Sequence, residues 1–202
     1  MDRCGTPSVV SLKAAACALV FVLLGVAAAP GAEPLRIDTE HSTLTVLVYK
    51  AGLFSAFADD HVIRAPIAGG SVSLDTPPGV QLTVRSASLI VLDPGLAPAK
   101  RAEVQTRMLS PEVLDSAKYP DIAFASTTVE PAGPGKWTVT GQLTIHGVTR
   151  ATTLSVVQQD GRFRGTVLLK QRDFSIKPIS IVGGTVKVKD DIKVEFDIAT
   201  QK

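Results

Sequence analysis

Asp59, Asp60 and His61, in the run Phe57-Ala58-Asp59-Asp60-His61, hold the densest group of potentially reactive side chains in the sequence. Carboxylates beside an imidazole can ligate a divalent metal or exchange a proton, so this run could serve a metal-dependent or redox accessory protein. Successive side chains of an extended segment point to opposite sides, which leaves at most Asp59 and His61 on one face. Two ligands make a weak site, and a solvated loop capped by its own carboxylates is the competing reading. The other histidines, His41 and His146, stand in turn contexts, the second directly before Gly147.

Elsewhere the repertoire is thin. No G-x-S-x-G elbow, H-E-x-x-H helix, P-loop or G-x-G-x-x-G fingerprint occurs, so neither a catalytic residue nor a metal or cofactor site is assigned and the chain reads as a non-enzyme. Binding by apolar faces is the stronger expectation. Val84, Leu89, Phe124, Trp137, Val139, Leu143, Val156, Val194 and Phe196, on the apolar faces of alternating segments, are expected to share one interior. They can fill a packed core or line a cavity. Their aliphatic predominance suits a flexible alkyl or isoprenoid chain better than a planar ring, which calls for more aromatic walls. A polar headgroup would then meet Asp59, His61, Arg101 or Arg107 at a rim formed by residues 52–61 or 97–116.

Period-two alternation is the signal that must position these residues. In the last segment Val186, Val188, Ile192, Val194, Phe196 and Ile198 alternate with Lys187, Lys189, Asp191, Lys193, Glu195 and Asp197. Noisier versions occupy residues 43–50, 61–75, 80–91, 121–130, 136–145, 148–158 and 161–170, which makes eight strands. His146-Gly147 and Asp160-Gly161 predict tight hairpins. Residues 97–110 carry helix formers, so one short helical connection is expected between the third and fourth strands. The fold expectation is therefore all-β: an extended eight-stranded antiparallel barrel, since closure removes exposed strand edges. A 12-residue strand such as 80–91 reaches about 40 Å and, tilted near 40°, gives a barrel about 30 Å tall. An outer-membrane barrel is disfavoured because the charged row of the last strand would face lipid or crowd a narrow lumen.

The chain has 202 residues, 45% hydrophobic and 20% charged, with a formal charge of +2. That balance gives no basic footprint for nucleic acid. At the N-terminus, Arg3 and Lys13 precede an uncharged run from Ala14 to Ala29 whose most apolar part is shorter than a membrane span. Residues 1–32 are expected to be a signal peptide cleaved between Ala28 and Ala32, leaving a single domain, 33–202, in the periplasm. Both cysteines, Cys4 and Cys17, would leave with it, which excludes disulfides and thiol chemistry from the mature domain.

Specific words stand along the sequence: Ile37-Asp38, His41-Ser42, Gly52-Leu53-Phe54-Ser55-Ala56-Phe57, Met108-Leu109, Leu114-Asp115-Ser116-Ala117-Lys118-Tyr119-Pro120-Asp121-Ile122-Ala123-Phe124-Ala125-Ser126, Gly141-Gln142-Leu143-Thr144-Ile145-His146-Gly147-Val148-Thr149 and Asp173-Phe174-Ser175-Ile176. With them the chain resembles the YceI-like family over nearly all of residues 35–200. The resemblance implies an exported bacterial lipocalin-like barrel that holds a polyisoprenoid, such as a quinone or polyprenyl chain, and has no established catalytic residues. Relatives often read Phe-Gly-His-Asp-His where this chain has Phe57-Ala58-Asp59-Asp60-His61, which weakens a metal role here. A long-chain isoprenoid or lipid is the expected partner. Transient contact with a membrane or envelope protein, for example through residues 171–184, and a dimeric state are both left open by the sequence.

Overall fold

The structure, a computed structural model, describes residues 33–51, 60–75, 77–181 and 186–201. The expected signal segment, Asp59 and most of the 52–61 rim lie outside these residues. The strands are β1 (Leu35–Arg36), β2 (Thr43–Ala51), β3 (His61–Arg64), β4 (Ile67–Ser73), β5 (Gly79–Arg85), β6 (Ile90–Val91), β7 (Asp121–Gly133), β8 (Lys136–Ile145), β9 (Val148–Gln159), β10 (Arg162–Lys170), β11 (Ser180–Ile181) and β12 (Val186–Ile198). The helix α1 (Pro98–Leu109) connects β6 to β7, where the sequence places a helical connection.

Eleven strands form one antiparallel path, β1-β4-β5-β7-β8-β9-β10-β12-β2-β3-β6, and β11 pairs with β12 beside it. The sheet curls back on itself. Ile37 bridges Thr200, Asp38 N donates to Ala199 O, and Gln201 N donates to Arg36 O, so the chain beside β1 is bonded to the chain beyond β12. The all-β lipocalin-like architecture is as expected, but the count of eight is corrected to these shorter pieces. The segment 61–75 is split at Ala65-Pro66, where the proline has no amide hydrogen for the ladder. A 3-10 turn at Ser86–Ser88 divides the third segment into β5 and β6. It is pinned by Ser86, which donates from Oγ to Tyr119 O and from N to Pro120 O. The two-residue strands β1 and β11 are additional.

The predicted hairpins form for the expected reason. His146 and Gly147 have φ of 51° and 72°, and Asp160 and Gly161 have 53° and 74°, the paired left-handed conformation of a type I′ turn that fits strand twist. His146 is thus a turn residue, its ring edge-on to Tyr119 at 4.5 Å. His41 is one too, its Nδ1 2.8 Å from Asp38 Oδ2 in the exposed turn between β1 and β2.

Helix α1 starts on Pro98, whose fixed φ and missing amide hydrogen suit a first helical turn. It docks through buried Met108 and through Gln105. The Gln105 amide donates to Leu89 O at 2.8 Å, and its Oε1 accepts from Val91 N at 2.8 Å. One side chain thereby supplies the hydrogen bonds that another strand would have given β6. The apolar interior gathers in two clusters. One, near α1, contains Ile63, Val84, Leu89, Met108, Leu114 and Phe174; the other contains Ile37, Ile67, Val72, Phe163 and Ile198.

Candidate functional site

Alternation in β2, β5, β7, β8, β9, β10 and β12 turns one apolar row from each strand inward, and the rows enclose a cavity of about 380 Å³. Val84, Phe124, Trp137, Val139, Leu143, Val156, Val194 and Phe196 stand on its wall. Leu89, expected with them, does not. It is buried in the cluster beside α1, which also holds Val84; five positions after Val84 it would face outward in an unbroken strand, and the 3-10 turn at Ser86–Ser88 is what turns it inward there. The polar wall residues Ser73, Thr152 and Gln171 hydrogen-bond to main-chain oxygens of Pro77, Arg150 and Lys189 respectively. The lumen is otherwise hydrocarbon.

Two glycines keep that lumen wide. A methyl group at Gly141 would fall 2.5 Å from Ala125 O and 2.6 Å from the Phe124 ring, and one at Gly165 would collide with the Phe196 ring. Both phenyl rings belong to the cavity wall. Each lies against a neighbouring strand where a side chain is missing, leaving the space beyond it free.

The lumen reaches both ends of the curled sheet. At one end its wall includes Leu74, Pro78 and Gly79 of the β4–β5 turn, with Leu74 53% exposed. At the other it includes Met108, Val113 and Leu114. There a second cavity of about 1,020 Å³ adjoins it, and Val48, Ile63, Met108, Val113 and Gln171 belong to both walls. The second cavity is more polar than the first, with His61, Lys100, Glu103, Arg107, Glu112 and Lys187 among its lining residues.

Two of the expected rim residues, His61 and Arg107, therefore stand together on this second wall. Arg107 Nε lies 3.3 Å from Glu112 Oε2, and Lys100 Nζ 3.0 Å from Glu103 Oε2. Arg101 takes another role, donating from Nη1 to Leu92 O at 3.3 Å and tying α1 to the chain after β6. Asp60 and His61 do not converge. Asp60 Oδ1 accepts from Lys50 N at 2.9 Å, while His61 Nδ1 lies 2.7 Å from Asp93 Oδ2. Among the described residues no three of His, Cys, Asp or Glu gather to hold a metal ion.

Asp93 is the residue that sequence reasoning missed. It is 3% exposed, and its other oxygen accepts from Val62 N at 2.7 Å. In sequence it stands in Leu92-Asp93-Pro94-Gly95, which has the composition of a turn. Its partner lies 32 positions upstream, and only the pairing of β3 with β6 brings the two together.

Comparison with known proteins decides the family. Residues 35–200 match the YceI-like domain. The chain belongs to the YceI-like family. Among YceI-like relatives, a UPF0312 protein of Pseudomonas putida is 35% identical over 107 residues, covering 48% of this chain and 55% of that protein. One of Vibrio parahaemolyticus is 30% identical over 116 residues, covering 52% and 60%. The chain spans little more than half the length of these curated relatives. Among solved structures, Burkholderia cenocepacia BcnA superposes with a TM-score of 0.63 at 20% identity, over 80% of this chain and 98% of that one. The Campylobacter jejuni YCEI protein gives 0.50 at 20% identity, over 66% and 80%. At such identity these two establish the shared YceI-like fold.

Proposed function

We propose that this protein is a non-catalytic carrier that holds one long, flexible apolar chain in the lumen of its curled sheet. The chain belongs to an isoprenoid or fatty-chain lipid, such as a quinone or polyprenyl compound, whose polar end rests in the second cavity. The carrier works in the periplasm after residues 1–32 are removed and exchanges its cargo at a membrane or with an envelope protein. The observation that supports this reading is the lumen itself, about 380 Å³ of aliphatic and aromatic wall running from the β4–β5 turn to α1. It falls within the volume range of ligand sites. Each methylene withdrawn from water contributes about 0.8 kcal/mol, so a few isoprene units offset a large part of the cost of association.

Native mass spectrometry of the purified protein, followed by lipid extraction, tests the reading directly. A co-purifying adduct that elutes as a long-chain lipid is expected. Protein that stays empty when incubated with polyprenols and fatty acids of graded length would overturn it.

A further inference from the structure

The His61–Asp93 pair is not needed to hold a hydrocarbon, and its geometry says what it can add. Asp93 is nearly inaccessible, and one carboxylate oxygen is engaged by Val62 N–H. The other oxygen, 2.7 Å from His61 Nδ1, accepts the ring hydrogen there, since a carboxylate can only accept. In the neutral ring that arrangement leaves Nε2 as a bare acceptor. Among the described residues nothing hydrogen-bonds to Nε2. The ring is on the wall of the second cavity, with its side chain 23% exposed.

His61 also lies in line with the lumen. It is two positions before Ile63 on β3, so the two side chains share a face about 7 Å apart. Ile63 belongs to the walls of both cavities. A chain leaving the lumen past Ile63 presents its terminal group to His61. On the α1 side of the second cavity Lys100 and Arg107 are paired with Glu103 and Glu112, while Lys50 and Lys187 line it elsewhere. A ring nitrogen poised to accept calls for a donor.

We infer that His61 Nε2 is the receptor for a hydroxyl group on the end of the bound chain, with Asp93 as the positioning residue that fixes the imidazole. The inference rests on the carrier reading and names the head that the carrier selects: an alcohol or phenol, in preference to the same chain with its oxygen capped.

Three probes of identical tail test it: geranylgeraniol, its methyl ether and geranylgeranyl phosphate, titrated by the fluorescence of Trp137, the single tryptophan and a lumen residue. The alcohol is expected to bind roughly tenfold more tightly than the ether, the ratio one net hydrogen bond supplies. In His61→Phe the ratio falls to about one while the ether's affinity is unchanged, and in His61→Gln, whose side-chain oxygen can accept, part of the ratio returns. Asp93→Asn lowers the ratio without weakening the ether, a readout that a purely structural role would not give. Equal binding of alcohol and ether by the unaltered protein overturns the inference and leaves the carrier standing. Binding of neither overturns both. A phosphate that binds more tightly than the alcohol, and loses that advantage in His61→Phe, makes the site an anion receptor and overturns the hydroxyl assignment.

Discussion

The two cavities share a wall, yet they are held by different kinds of bonding. Around the lumen, β7, β8, β9, β10 and β12 each have a strand on both sides, and continuous ladders such as the ten residue pairs of β8 with β9 fix where every side chain points. The second cavity is bounded on one side by α1, which is fastened by Gln105, Arg101 and the Met108 side chain. A wall of paired strands moves only by breaking several hydrogen bonds together, whereas a helix on a few side-chain contacts opens locally. Under the proposed carrier function, the rigid chamber would measure the chain and the adjustable one would admit it and read its polar end.

The sharpest way to break this comparison is to fill the rigid chamber. Gly141→Val sets a branched side chain against Ala125 O and the Phe124 ring, where paired strands leave little room to yield. A loss of about 3 kcal/mol or more in urea denaturation is expected, at the upper end for overpacking, together with loss of long-chain adducts in native mass spectrometry.

Substitution by tryptophan is milder. Leu143→Trp or Val194→Trp should cost about 1–3 kcal/mol and shorten the longest chain retained, read by competition among isoprenoids of graded length. Lys193→Ala and Glu195→Ala, which remove the 2.6 Å ion pair of their side chains on the opposite face of β12, should leave chain length unchanged. Equal effects from both pairs would mean that strand parity does not define the chamber.

Loosening the adjustable wall should do something different. Gln105→Leu orphans Val91 N–H and Leu89 C=O, a loss of about 1–3 kcal/mol. Amide exchange in α1 should accelerate and ligand uptake should quicken, with chain-length selection intact.

The smallest effect belongs to Asp197, which sits between the lumen residues Phe196 and Ile198 and pairs with Arg162 and Arg164. Burial would raise the Asp197 carboxyl, but hydrogen bonds from Arg164 and Arg162 outweigh it and hold Asp197 below its ordinary value. Its stabilisation is therefore present above the unfolded carboxylate range and fades as pH falls through the lowered folded value. Asp197→Asn should be less stable than the unaltered protein by about 1 kcal/mol or less at neutral pH. The gap should close in strong acid, with ligand binding the same in both.

The same contrast decides what could be read from the sequence. Alternation has a short period and depends on neighbours, so Phe124, Leu143, Val194 and Phe196 could be placed on one interior from their phases. Breaks in phase depend on remote anchors: Ser86 turns the chain because Tyr119 and Pro120 offer it carbonyls, and only this turn buries Leu89 beside α1. The second chamber has no period at all. His61 was visible as a chemical group, but Asp93 resembled any acid in a turn until β3 and β6 were paired. The glycines opposite Phe124 and Phe196 were equally silent, because a missing side chain shows its purpose only against the ring that occupies the gap.

The amide of Gln105 carries a consequence for life in a crowded compartment. By occupying the outer hydrogen-bonding positions of β6, it denies them to any extended segment of another molecule. An open strand border is a template for aggregation. If the proposed carrier takes up cargo by lifting α1, each loading event would uncover that border. The two-residue length of β6 limits the hazard, since a foreign strand could pair with too little backbone to remain attached before the helix returns.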